Sequence, residues 1–235
     1  MDHLETHLTD QIDHHADFFW HRVRWGVVRA RIPEGPCVVL DVGAGAGLVG
    51  DYLAADRPEA RYDFSEPIGS LESRLERRWG ADRNRSGAAT LDDVDVVTLL
   101  DVIEHVEDDR GLLADLTART TAGTTFVVTV PAKQRLWSSW DAALGHHRRY
   151  ERAGLRSLLA DLPLEVLEVS YLFPELVPAA LWRARRGGDA PADSAEFPQL
   201  PRVVDRTLLG VSSVTARARR LAPTGTSLVA VARRL

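Results

Sequence analysis

The run Val38-Val39-Leu40-Asp41-Val42-Gly43-Ala44-Gly45-Ala46-Gly47 places a carboxylate near the end of a short apolar stretch and three alternating glycines behind it. Glycine lets the backbone turn sharply and approach a ligand with no Cβ in the way. A helix opening at Leu48 would add unpaired N–H groups at its start. Such a crossover suits a nucleotide-like ligand. Glu66 follows the next apolar stretch, where a carboxylate can accept hydrogen bonds from two ribose hydroxyls. Further along, Leu99-Leu100-Asp101-Val102-Ile103-Glu104-His105-Val106 ends an apolar run in two carboxylates and an imidazole. His105 is the first candidate for a general base, because imidazole titrates near neutral pH. The competing assignment has Glu104 and His105 only shaping a turn. The D-x-x-E-H string of Asp101, Glu104 and His105 also offers ligands that suit a divalent cation, but no metal is assigned to it.

The glycines satisfy two registers. Gly45, Gly47 and Gly50 fit G-x-G-x-x-G, the dinucleotide fingerprint. Gly43, Gly45 and Gly47 fit the tighter alternation behind Asp41. Asp41 can meet a cationic ligand, no Lys or Arg lies in the loop to meet a phosphate, and Asp101 ends a later strand. S-adenosylmethionine carries an ammonium and a sulfonium and no phosphate, so these features favour it over a dinucleotide. An NAD(P)-dependent oxidoreductase, using the Gly45–Gly50 register, is the alternative of another class, and it leaves Asp101–His105 unexplained.

The elements that must position these groups follow from periodicity. Apolar residues at Ile12, Phe18, Phe19, Val23, Val27 and Val28 predict a helix over Leu8–Ile32, ended by Pro33-Glu34-Gly35-Pro36. Strands are expected at 38–42, 61–64, 94–100 and 124–130, alternating with helices at 48–55, 68–79 and 109–119. This alternation specifies βαβ units and a parallel sheet. Residues 133–150 break the rhythm with Trp137, Trp140, His146, His147, Arg148, Arg149 and Tyr150. This insertion reads as a lid over the acceptor, with Trp137, His146, Arg149 and Tyr150 as candidate substrate contacts and His146 as a further catalytic candidate. A helix at 151–161 and a strand at 164–172 follow. Helices at 173–186 and 202–221, joined by a linker at 187–201, form a cap, and a last strand is expected at 226–232. The two late strands suggest an antiparallel edge pair.

Bulk properties narrow the class. At 235 residues and 45% apolar the chain suits one α/β domain with decorations: an N-terminal helical segment (1–36), a cofactor-binding core (37–131), the lid (132–150) and the cap excursion (173–222). A net charge of −5 gives no basic field for nucleic acid. Lys133 is the only lysine, a bias of composition. The single cysteine, Cys37, opens the first strand, where it reads as a buried small hydrophobe rather than a reactive thiol. No leader-like or membrane-spanning run is evident, which predicts a cytoplasmic protein, monomeric or homodimeric, without stable membrane insertion. His3, His7, His14, His15 and His21 are assigned to a solvated helix face, and Phe18, Phe19, Trp20 and Trp25 to packing over the cofactor cleft. The Arg183-Ala184-Arg185-Arg186 run reads as a solvated basic edge of a core-facing helix.

The segments Asp41–Gly47 and Leu100–Asp109 resemble the first-strand and fourth-strand motifs of the class I S-adenosylmethionine-dependent methyltransferases, in the broad branch that includes ubiquinone-pathway O-methyltransferases. The likeness covers 38–131. Thr226–Arg233 resembles the final strand of that fold, and Leu136-Trp137-Ser138 through Asp141 with Gly145-His146-His147-Arg148-Arg149-Tyr150 resembles a further signature. The resemblance implies a Rossmann-like, seven-stranded, mostly parallel sheet with an antiparallel last strand. It implies that Asp41 and the backbone of Gly43, Ala44, Gly45 and Gly47 hold the methionine half of the cofactor. Glu66 would hold its ribose hydroxyls, and Asp101 would lie near its amino group. S-adenosylhomocysteine would be the product. The third-strand segment, 88–95, is compressed, and Asp92 or Asp93 stands nearest the place of the usual adenine contact. The expected activity is methyl transfer to an oxygen or nitrogen of a small metabolite or modified peptide, in biosynthetic tailoring. Methylation of an amine or a peptide N-terminus is the alternative within the class, and a catalytically silent cofactor-binding protein is a third reading.

Overall fold

The computed structural model describes residues 18–186 and 200–235. The start of the expected N-terminal helix, His3, His7, His14 and His15, and most of the 187–201 linker lie outside the described residues. Six strands run β1 (Val38–Val42), β2 (Arg61–Ser65), β3 (Val96–Leu100), β4 (Thr125–Pro131), β5 (Leu164–Leu172) and β6 (Ser227–Arg234). The helices are α1 (Phe19–Arg29), α2 (Leu48–Asp56), α3 (Gly69–Trp79), α4 (Asp109–Arg119), α5 (Ser139–Ala143), α6 (Arg152–Ala160), α7 (Val177–Arg186) and α8 (Arg202–Arg217).

The strands form one sheet in the order β2-β1-β3-β4-β6-β5. β1 pairs in parallel with β2 and β3, and β3 with β4, whereas β6 lies antiparallel between β4 and β5. Side chains alternate across this sheet, which sorts them into two cores. Leu40, Val97, Leu99, Phe126, Val128 and Ala230 pack with Leu113 and Leu116 of α4 and Leu155 and Leu159 of α6. Val39, Val96, Val127 and Val229 pack with Val23 and Val28 of α1, Leu53 of α2, Leu75 of α3 and Ala216 of α8.

Six strands stand where the resemblance implied seven. The missing one belongs beside β2, and its place holds a short turn at Ala81–Arg83 and a single parallel bridge between Phe64 and Asn84. The cause is local. The Asn84 side chain donates to Glu72 and Glu76 of α3, and its oxygen accepts from the Ser86 N–H at 3.0 Å. This folds the chain back before a ladder can extend, and turn residues at Ser86-Gly87 and Asp92-Asp93 keep it irregular. Arg61, Arg83 and Arg85 gather on the buried Asp63 along this edge.

The N-terminal helix and the cap close the same end of the molecule. α1 packs on α8, and Trp20 stacks on Phe173 with centroids 4.0 Å apart and planes 8° apart. Phe173 holds a positive φ of 55° where the chain leaves β5, a strained conformation for a bulky residue. Glu168 of β5 binds Arg31 beyond α1 at 2.7 Å, and Arg219 and Arg220 beyond α8 at 2.6 and 3.1 Å.

Candidate active site

A cavity of about 310 Å³ opens beyond the carboxyl ends of β1, β2 and β3, the place where α/β sheets put their ligands. Its floor is the loop from Gly43 to Ala46, its sides are Glu66-Pro67-Ile68 and Leu100–Val102 with His105, and α1 covers it with His21, Arg24 and Trp25. Gly43, Gly45 and Gly47 have φ of 66°, 54° and 78°, so the alternation provides three left-handed positions that side chains would resist. Gly47 caps α2 without lining the cavity.

Gly50 settles the choice of register. It lies inside α2, turned away from the cavity, and a Cβ there would come within 2.8 Å of both Trp79 and Tyr62. Close helix–strand packing requires its small size. The Gly43-Gly45-Gly47 register forms the loop.

Three carboxylates surround that loop. Asp41 is buried and accepts hydrogen bonds from Thr98 Oγ1 at 2.7 Å and from the Tyr62 hydroxyl at 3.3 Å. Burial raises its pKa to about 7 in spite of these donors. Glu66 accepts from the Gly45 N–H at 2.7 Å and the Ile68 N–H at 2.9 Å, so it organises the loop it faces, and burial also raises its pKa. Asp101, with a φ of 59°, accepts from Thr129 Oγ1 at 3.1 Å and pairs with the Arg24 guanidinium.

Arg24 and His21 reach this cavity although the sequence offered no motif for them. His21, expected on a solvated face, is 6% exposed, and its Nδ1 lies 3.2 Å from Arg24 Nη2. Both stand on the cavity side of α1, whose other charged residues, Arg22 and Arg29, are exposed. A polar residue buried among Phe19, Val23 and Val27 was the only signal available. Tyr62 and Thr98, which hold Asp41, sit on β2 and β3 within runs that read only as strand.

Beyond β3 the chain makes a short turn, Ile103–His105. Glu104 is fully buried, and neither carboxylate oxygen has a hydrogen-bond partner among the described residues. Burial, then the charge of Asp101, pushes its pKa well above the usual carboxylate range. His105 lines the cavity, and burial with the neighbouring His146 lowers its pKa to about 4, so its ring is neutral at pH 7. The His105 and His146 rings meet edge to face with centroids 4.6 Å apart.

The lid is built around Asp141, a fully buried residue of α5. Its carboxylate accepts from Arg149 Nε and Nη2 at 2.7 and 2.9 Å, from the Ser138 N–H at 2.9 Å, and bonds His146 Nδ1 at 2.9 Å. These partners hold its pKa below the ordinary value against the effect of burial. The His147 N–H donates to the Glu104 carbonyl at 2.8 Å and clamps the lid to the turn beyond β3. Of the four expected substrate contacts, the structure brings His146 against His105. Arg149 is engaged with Asp141, and the Tyr150 hydroxyl donates to Asp109 at 2.6 Å and lies 3.2 Å from the Ile103 carbonyl. Trp137 is half-buried, and none of Trp137, His146, Arg149 and Tyr150 lines the cavity. Asp92 and Asp93 are exposed outside it, and Asp93 is held by Arg61 and Arg85. Pro67 and Ile68 line the cavity beside Glu66, and no residue of the 88–95 segment does.

Fold and site together define a Rossmann-like nucleoside-binding protein whose loop presents acids rather than bases. The family model for the methyltransferase domain matches residues 16–169 of the 235, and the chain belongs to this family. No curated protein matches the sequence. Among solved structures, the complex between the Haloferax volcanii Trm112 methyltransferase activator and its candidate methyltransferase matches with a TM-score of 0.61 at 18% identity, covering 98% of this chain and 93% of that one. Geranyl diphosphate C-methyltransferase from Streptomyces coelicolor A3(2), solved with Mg2+, geranyl diphosphate and S-adenosyl-L-homocysteine, matches at 0.55 and 13% identity, covering 91% and 79%. Coclaurine N-methyltransferase, bound to N-methylheliamine and S-adenosylhomocysteine, matches at 0.56 and 12%, covering 92% and 72%. At these identities the likeness is one of fold. The protein is a class I S-adenosylmethionine-dependent methyltransferase, and the donor set fits that cofactor: carboxylates for an ammonium and for ribose hydroxyls, with no lysine or arginine in the glycine loop. No described helix is long and apolar enough to cross a membrane.

Proposed function

We propose that this methyltransferase modifies an oxygen or nitrogen atom of a small metabolite or modified peptide, as a biosynthetic tailoring step in the cytoplasm. Bound in the cavity, S-adenosylmethionine supplies an electrophilic methyl group on a sulfonium. Asp41 and the Gly43–Gly47 backbone would hold its methionine half, Glu66 its ribose, and Asp101 would lie near its amino group. One observation carries the choice of acceptor. His105 puts a polar side chain into the wall formed by Leu100, Val102 and Val106. An O–H or N–H group entering that wall needs a hydrogen-bond partner, and His105 Nδ1, buried behind the wall with no partner among the described residues, can supply one once the ring turns toward the cavity. A hydrocarbon acceptor would need none.

Calorimetry tests the cofactor site without knowledge of the acceptor. S-adenosylhomocysteine should bind and reduced nicotinamide dinucleotides should not. Glu66→Ala should weaken binding by about 1–3 kcal/mol, the scale of hydrogen bonds to a charged group. Unchanged affinity would remove Glu66 from the ribose site. Isotope-labelled S-adenosylmethionine incubated with panels of phenols, alcohols, amines and peptides reads the acceptor, and label found only on carbon would sink the heteroatom assignment.

A further inference from the structure

We propose that the outward face of α8 docks the protein onto an anionic lipid surface without crossing it. α8 belongs to the cap between β5 and β6, beyond residue 169, where the match to the methyltransferase domain ends. Of the eight large apolar side chains exposed among the described residues, six belong to the cap: Trp182, Val203, Val204, Val211, Val214 and Leu221. Single exposed apolar residues are ordinary on a protein surface, whereas a contiguous group of them marks a contact site.

An ordinary surface helix buries its apolar stripe and exposes its polar one. α8 departs from this. Its inner side meets α1 and packs through Leu208, Leu209 and Ala216, yet several of its polar groups are turned inward as well. Asp205 accepts from the Phe19 N–H at 3.0 Å. Ser212 is fully buried and donates to Glu175, and Thr215 donates to the same carboxylate at 3.0 Å. The side left to solvent is valine and arginine. At 3.6 residues per turn, Val203, Val204, Val211 and Val214 fall within one stripe about 100° wide. Gly210 lies at its edge, and Arg202, Arg206 and Arg217 line the margin beyond, all of them exposed. Val203 is 77% exposed and Val214 63%, so the two ends of the stripe are equally open.

Charge selects the occupant. Residues 177–221 carry eight arginines and four acids in a chain whose net charge is −5. Asp205 is the one acid of α8 and it faces α1, α7 has none, and the other three lie in the 187–201 linker. A lipid surface offers both things this face wants. Anionic headgroups attract the arginines, and the boundary with the acyl chains takes the valines. A nucleic-acid backbone would meet the arginines but give the valines nothing to bury against. A second copy of the chain would bring arginines where acids are needed. The absence of any described helix able to cross a membrane leaves adsorption in the plane of the interface as the mode of contact. The proposal is independent of the acceptor assigned above.

Flotation of the full-length protein with vesicles tests the contact. Vesicles of phosphatidylcholine with phosphatidylglycerol should carry the protein up the gradient, and vesicles of phosphatidylcholine alone should bind it about tenfold more weakly or worse. Raising the salt from about 0.1 M to about 0.5 M should weaken binding, because screening shortens the reach of the arginines. Arg206→Glu combined with Arg217→Glu should weaken binding to the anionic vesicles about tenfold or more, and Val203→Ser combined with Val214→Ser about tenfold. All four side chains are exposed and none lines the cavity. S-adenosylhomocysteine affinity should therefore stay unchanged, which shows that each variant is folded and keeps a failure of the docking face distinct from a failure of the cofactor site. Wild-type protein that binds S-adenosylhomocysteine but does not float with anionic vesicles overturns the proposal. So does flotation that neither double variant weakens. A dimer in sedimentation that both double variants dissociate would also overturn it, by assigning the face to a second copy.

Discussion

Gly50 shows how a single residue can match a motif and serve another purpose. Within a helix, replacing glycine by alanine is ordinarily favourable by roughly 0.5–1 kcal/mol. Here the added Cβ would press on Trp79 and Tyr62 at 2.8 Å, and overpacking costs about 1–3 kcal/mol. Gly50→Ala should therefore lower stability in urea by about 1–2 kcal/mol, yet leave S-adenosylhomocysteine affinity within about twofold, since the residue does not line the cavity. A large loss of affinity at unchanged stability would return Gly50 to the binding loop. At this scale Asp41, Glu66, Asp101 and His105 were legible, because strand ends followed by chemistry-bearing residues mark a site in this kind of sheet. Arg24, Tyr62 and Thr98 were not. Each lies inside a regular element, where sequence pattern reports burial but not which buried atom meets which.

The lid shows the same division at the scale of the element. The sequence marks 133–150 as an interruption rich in Trp, His and Arg, but not the acid that organises it. Asp141 satisfies a guanidinium, an imidazole and the first turn of α5 at once, and its removal would leave Arg149 buried without a counter-ion. Losing one partner of a buried pair costs about 3–5 kcal/mol. Asp141→Ala should speed amide exchange across Gln134–Arg149 by two orders of magnitude or more, while exchange in β1–β4 stays slow. Uniform acceleration through the sheet would mean that Asp141 supports the whole fold rather than the lid. The periods of strands and helices were readable to within a few residues. The absent strand beside β2 was not, because an Asn84 side chain bonded to α3 replaces a ladder that the family pattern supplies.

Across the whole molecule, opposing acids set the pH of greatest stability. Asp41 has a folded pKa of about 7 against an ordinary value of 3.8. The folded state holds that proton more tightly, so its stabilisation is full below about pH 4 and is lost as pH rises through about 7. Glu168 is displaced the other way, with Arg219 foremost among the residues that lower it from 4.5. Its contribution is present above that value and is lost as pH falls through the lower folded one. The two limbs place the maximum on the mildly acidic side of neutrality. Melting temperature should fall between pH 6 and about 8, and Asp41→Asn, which keeps a partner for Thr98, should make that limb shallower, the raised Glu66 and Glu104 keeping part of it, and leave the acid limb unchanged. A wild-type melting temperature climbing steadily from pH 5 to about 8 would contradict the assignment.

The position of β6 has a consequence for how the chain comes to be made. β5 leaves the ribosome long before β6, yet its hydrogen-bonded neighbour in the sheet is β6, and β6 must slot between β5 and β4. While residues 173–226 are still being added, the outer rim of β4 stands open and β5 has nothing to dock on. The nucleoside cradle at β1–β3 can therefore take shape early in synthesis. The far half of the sheet waits for the last strand, a long-range closure of the kind that slows folding.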